Sequence, residues 1–288
     1  MKTVILTDSC CDLPISYVKE NDIKVLSIRV SIDKEEFHDD LGQSLGYHEF
    51  YEKIRSGKMP TTSQVTSYTF EEAFRGEVEK GNSVLYIGFS SALSGCVNSA
   101  RVAKKTIEEE FKEADITVID SLCASLGLGL LVYYAIEMRN NNKSKEEMVS
   151  WIEENKLKLN HWFTVDDLNH LQRGGRVSKA VAAFGTILSI KPIMHVDNEG
   201  RLIPLAKVKG RKKSIRTLME HMKEKAINPE EQVVFISHGD CEEEAIWLKK
   251  LIIEELKVKD VLINPIGVAV GSHSGPGTMA LFFMGKDR

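Results

Sequence analysis

Thr3-Val4-Ile5-Leu6-Thr7-Asp8-Ser9 opens the chain with four residues suited to a strand, followed by a polar tip, and an amphipathic stretch at 13–20 comes next. β-Branched and large apolar side chains favour a pleated surface, whereas Asp and Ser favour turns and caps, so the unit reads strand, tip, helix. It returns at 84–89, followed by Ser90 and Ser91, and at 116–119, followed by Asp120 and Ser121. Three such units predict a parallel sheet with crossover helices. In an open parallel sheet, ligands gather beyond the carboxyl ends of the strands. The hydroxyl-rich tips are therefore candidates for one site.

Asn140, Asn141 and Asn142 break a helix, and Ser144 with Glu147 forms a capping box that starts another, running to about 158. Beyond it the character changes. A strand at 162–166 leads to a turn at Gly174 and Gly175, an apolar run at 181–194, and a hairpin whose turn is 197–200 and whose second strand is 202–208. Helices at 213–226 and 242–256 and strands at 233–237 and 261–270 complete the pattern. The fold class is α/β in two domains. The expectation is an N-terminal three-layer α/β domain with a mostly parallel sheet over 1–159, and a C-terminal α+β domain with antiparallel strands over 160–288.

Two domains also follow from 288 residues, more than one core usually serves. With 42% hydrophobic and 28% charged residues the composition is that of a globular protein, not a disordered one. A formal charge of −4 gives no global attraction for nucleic acid or an anionic membrane. The five cysteines lack C-x-x-C spacing, which fits free thiols and a cytoplasmic location. The opening dozen residues do not read as a signal peptide, and the longest nearly apolar stretch, 126–136, is well short of the roughly 20 residues that span a bilayer.

Four segments carry candidate chemistry. Ser90-Ser91-Ala92-Leu93-Ser94-Gly95 lies at a helix entrance, where unpaired N–H groups and the helix dipole favour an anion; an ordinary helix cap is the plainer reading. Pro60-Thr61-Thr62-Ser63-Gln64 places three hydroxyls in a loop between helical stretches, more than a cap requires. Gly271 to Thr278 frames His273 with glycines that let backbone approach a ligand. Gln172-Arg173-Gly174-Gly175-Arg176 sets two arginines on a turn, suited to an anion or to solvent. A basic cluster, Lys207, Lys209, Arg211, Lys212, Lys213 and Arg216, runs into a helix N-terminus, where cations oppose the dipole.

Nucleotide-binding glycine motifs and metal-spaced His or Cys sets are missing, so no cofactor or metal is expected. Gly88-Phe89-Ser90-Ser91-Ala92 departs from the G-x-S-x-G nucleophile elbow at its last glycine.

Taken in order, Thr7-Asp8-Ser9, Thr62 to Gln64, Ser91 to Gly95, Asp120-Ser121, Asp167-Leu168 with Arg173 to Arg176, and His273 to Gly277 resemble the DegV family, from near Met1 to near Phe283. The resemblance implies a bacterial lipid-binding protein holding an acyl chain between its two domains, with no catalysis of its own. It further implies a role in lipid transport or fatty acid metabolism, with a separate fatty acid kinase subunit as partner. By motif position Thr62, Ser94 and His273 should bind the carboxylate of a fatty acid such as palmitate, with Ser63 and Gly95 beside them. Arg173, Arg176, Lys207 and Arg211 fall near the site or the kinase-facing surface. Cys96 follows Gly95 where the family commonly has threonine.

Burying about 15 methylenes at about 0.8 kcal/mol each offers roughly 12 kcal/mol before association costs, so the tail supplies affinity and neutral donors need only orient the head. Phe184, Ile187, Leu188 and Ile190, in the apolar run, are candidates for the acyl tunnel wall. Two alternatives stand beside this reading: a hydrolase or acyltransferase using Ser94 as nucleophile and His273 as base, and a lipid sensor without a kinase partner.

Overall fold

The structure is a computed structural model and describes residues 2–182 and 190–288. Its first part contains β1 (Thr3–Asp8), β2 (Lys24–Leu26), β3 (Arg29–Ile32), β4 (Glu35–His38), β5 (Thr61–Ser63), β6 (Ser83–Gly88) and β7 (Ile116–Asp120). The expected parallel sheet forms in the order β2-β1-β6-β7. β6 is buried along its whole length, as a strand covered on both faces must be. Helices Ser67–Val78 and Cys96–Glu110 pack on β6 and β7, and helix Leu126–Asn140 packs on β1 and β6.

Helix Leu126–Asn140 also touches three strands of the second sheet. Its sequence, LGLGLLVYYAIEMRN, is apolar almost all round at its start, which suits a helix with sheet on both sides. The Ser144–Glu147 capping box opens helix Lys145–Asn155 as read from the sequence.

The remaining strands are β8 (Leu159–Thr164), β9 (Ile190–Val196), β10 (Leu202–Lys209), β11 (Val233–His238), β12 (Asp260–Pro265) and β13 (Met279–Met284). They form a sheet in the order β10-β9-β8-β13-β11-β12, antiparallel except for the β11–β12 pair. Side chains alternate between its faces. Trp162, Val234, Ile236, Met279, Leu281 and Phe283 join a core with Ile215, Leu218 and Leu248 of helices Arg211–Lys225 and Glu242–Leu256. Phe163, Phe235, Ala280 and Phe282 face the other way, into the core shared with the parallel sheet.

Two expectations are corrected. The strand read over 261–270 stops at Pro265, and residues from Val268 continue as helix Val268–Ser274, so His273 sits on a helix and not in a loop. Valine-rich composition favoured a strand, and tertiary packing overrode it. The segment at 60–64 likewise holds β5, which joins β3 and β4 in a small antiparallel sheet.

Candidate functional site

Between the strand tips of the parallel sheet and the inner face of the six-stranded sheet lies a cavity of about 190 Å³. A single water needs roughly 10–15 Å³, so this is no packing flaw. Ile28, Phe89, Leu93, Leu171, Val196 and Leu202 give it apolar walls, and Phe163, Ala280 and Phe282 belong to its sheet face.

Polar groups converge on one part of the wall. Helix Val268–Ser274 packs against β3, β5 and helix Asn169–Arg173, which brings His273 to Thr62 across 211 residues of chain, with Nε2 2.8 Å from Oγ1. Two buried carboxylates hold the start of that helix: Asp12 accepts from the Gly267 N–H at 2.9 Å and Asp39 from the Ala269 N–H at 3.1 Å. They satisfy N–H groups that a helix leaves unpaired. Burial pushes the Asp39 carboxyl up to about 7 and raises that of Asp12 well above the carboxylate range.

Burial, and then the nearby Arg176 cation, push His273 down to about 4, so its imidazole is neutral at neutral pH. Ser94 and Gly95 line the cavity beside them. The Ser94 hydroxyl lies 3.3 Å from the Cys96 sulfur and accepts weakly from the Cys96 N–H. Gly95 is needed for space: a Cβ there would stand 2.0 Å from Gln64 Oε1.

Arg176 also lines the cavity. Its Nε donates to the Leu93 carbonyl at 3.1 Å and its Nη1 to the Gly174 carbonyl at 2.5 Å. Among the described residues these hydrogen bonds go to neutral carbonyls, and burial lowers the guanidinium from its usual range, although arginine keeps its charge. Beside these neutral groups the cavity wall thus carries Arg176, a cation with no carboxylate partner among the described residues.

A family model described as uncharacterised protein, DegV family, matches residues 2–286. The chain belongs to the DegV family. It is 50% identical to DegV domain-containing protein CPE0026 of Clostridium perfringens, covering 100% of this chain and 99% of that one. Among solved DegV structures, a lipid-binding protein from Thermotoga maritima is 30% identical, with full coverage of both chains and a TM-score of 0.88. A fatty-acid-binding DegV from Bacillus subtilis is 30% identical, with 99% and 100% coverage and a TM-score of 0.85. A stearic-acid-binding protein from Eubacterium ventriosum is 26% identical, with 99% coverage of each chain and a TM-score of 0.88.

The other residues singled out in this DegV chain lie elsewhere. Ser63 is exposed on β5, and Arg173 is exposed with Nη2 2.8 Å from His170 Nδ1. Arg211 lies in a separate charged cleft, tied to Glu244 at 2.6 Å and facing Asp166 at 3.6 Å. Lys207 is exposed on the edge strand β10. Ile190 begins β9 and is not among the cavity-lining residues, and Phe184, Ile187 and Leu188 fall outside the described residues. The strand-tip residues mostly serve the loops: Asp8 accepts from the Phe89 N–H and the Tyr86 hydroxyl, and Ser90 donates to the Gly200 carbonyl.

Sequence reasoning missed His161, Phe163, Ser237, Ser274, Ala280 and Phe282 in the cavity wall. Five of them sit in strands buried on both faces, where the pattern carries no alternation to mark a ligand side.

Proposed function

We propose that this chain binds a long-chain fatty acid, such as palmitate, with its tail in the apolar cavity and its carboxylate at the Thr62–His273 pair. The observation that carries this reading is a cavity with greasy walls, one part of which brings Ser94 and Arg176 together with the Thr62–His273 hydrogen bond. The fatty-acid-binding relatives support it.

A carboxylate only accepts hydrogen bonds, so the head needs donors. With His273 neutral and its proton on Nε2, the imidazole donates to Thr62 Oγ1 and leaves the Thr62 hydroxyl proton for the ligand. Ser94 supplies a second hydroxyl, Gly95 lets Gln64 approach, and Arg176 balances the negative charge. Ser63, exposed beside Thr62, lies outside this grip.

The finer reading is a carrier that presents the carboxyl group to a separate fatty acid kinase subunit in the cytoplasm, without catalysis of its own. Five free thiols support the location. Arg173 and Lys207, both exposed, are the docking candidates for that subunit, and Arg211 lies in the separate charged cleft. We place the domain boundary at 159/160, supported by every strand of the parallel sheet preceding it and by all of β8 but its first residue, Leu159, following it. The hydrolase alternative needs a base on Ser94, whereas His273 is bonded to Thr62 and Ser94 lies against Cys96.

Native mass spectrometry of the purified protein tests the reading. A co-purifying long-chain acid, lost in a Thr62→Val, Arg176→Met double variant that keeps its fold, is the expected result. Protein that carries no lipid and takes up none on titration with palmitate would refute it.

A further inference from the structure

A cavity for a plain hydrocarbon tail needs no polar wall beyond its head, yet this one has a second polar place. Ser125, Ser237 and His161 line it and are 5%, 0% and 2% exposed. Ser237 shares the inner face of β11 with Phe235, opposite Ala280 of β13, and His161 lies opposite Phe282. His161 Nε2 accepts from the Ala124 N–H at 3.2 Å, next to Ser125.

Counting hydrogen bonds leaves His161 Nδ1 without a partner among the described residues and one position open at Ser237. Ser125 donates to buried Asp12, and Ser125 and Ser237 share a bond of 2.9 Å in which either is donor. When Ser125 gives its proton to Asp12, Ser237 donates to Ser125 and keeps free lone pairs. When the chain runs the other way, from a protonated Asp12 outward, the Ser237 proton itself is free. A hydroxyl on the ligand both donates and accepts, so it fits either direction. A ketone fits only the second, and a methylene fits neither.

This place is also distinct from the head. Asp12 bonds the N–H of Gly267 at the start of helix Val268–Ser274, and His273 lies near its end. Six residues at about 1.5 Å rise put the two roughly 9 Å apart. A group held there lies along the acyl chain and not at its carboxylate.

Resting on the fatty-acid reading above, we infer that the Ser125–Ser237–His161 patch is a subsite for a hydroxyl group carried part-way along the acyl chain, so that the chain selects hydroxylated long-chain acids.

Competition between stearic acid and hydroxystearic acids bearing the hydroxyl at successive mid-chain carbons tests this. At one position the hydroxy acid should displace stearate with about a tenfold advantage, the scale of one net hydrogen bond. In Ser237→Ala, with Ser237→Val as a second variant and thermal midpoints as a fold check, that ratio should drop to about one. Stearate binding with every hydroxy acid weaker, or an advantage unchanged in the folded variants, would overturn the subsite alone. Failure of both stearate and hydroxystearates to bind would instead remove the fatty-acid reading on which it stands.

Discussion

Ala280 is the sharpest place to test whether the cavity holds an acyl tail. It is 5% exposed on β13, lines the cavity, and has Phe163 on one neighbouring strand and Ser237 on the other. Ala280→Leu adds three carbons to the cavity face without adding a polar atom. If they take the space of about three ligand methylenes, long-chain acids lose about 2.4 kcal/mol, or about 50-fold in Kd. Shorter acids that do not reach that point lose little. Isothermal titration with saturated acids of increasing length reads this directly, and the affinity maximum should move to a shorter chain. Filling a void does not expose apolar surface, so the thermal midpoint should hold or rise. An unchanged length profile in a variant with an unchanged near-UV spectrum would show that the tail lies elsewhere.

Other perturbations isolate the head. Gly174→Ala places a Cβ 2.1 Å from His273 Nδ1 at a backbone angle any residue adopts, so the ring must move, fatty acid binding should weaken about tenfold or more, and the thermal midpoint should fall by a few degrees; equal affinity in both proteins would exclude a role for the Thr62–His273 geometry. Thr62→Val removes the hydroxyl and keeps the branched shape, and loss of a hydrogen bond to a charged group should cost about 1.5–3 kcal/mol of binding, read by the same titration. His273 titrates near 4 in the folded protein against an ordinary 6.5, so between those values the unfolded chain binds the proton better and stability falls as pH drops. The effect is at most about 3 kcal/mol; denaturant melts at pH 7 and pH 4.5 should show wild type losing more than His273→Gln.

The elements of this protein are largely local information. Strand, polar tip and helix at 3–20, 83–110 and 116–140, the capping box at Ser144, and the hairpin around 197–200 follow from side-chain shape, turn chemistry and periodicity, which act over a few residues. Thr62, Ser94 and His273 are also visible in the sequence itself, as hydroxyl clusters and a glycine-framed motif. Residues 261–274 defeat a local reading, because a short apolar stretch such as Ile266 to Val270 suits a buried strand and a buried helix alike, and only its neighbours decide.

What tertiary structure alone decided is which of these groups meet. Thr62 and His273 bond because helix Val268–Ser274 is held by Asp12 and Asp39 at one end and packed on β3 and β5 along its side. Arg176 is one of two arginines on a turn; the fold turns it to the cavity and leaves Arg173 exposed. His161, Ser237 and Ala280 reach the cavity through the pairing of β8, β13 and β11, strands separated by dozens of residues. Local sequence fixes which face each side chain takes relative to its neighbours, but only long-range pairing and burial determine whether that face meets another sheet, solvent or a ligand.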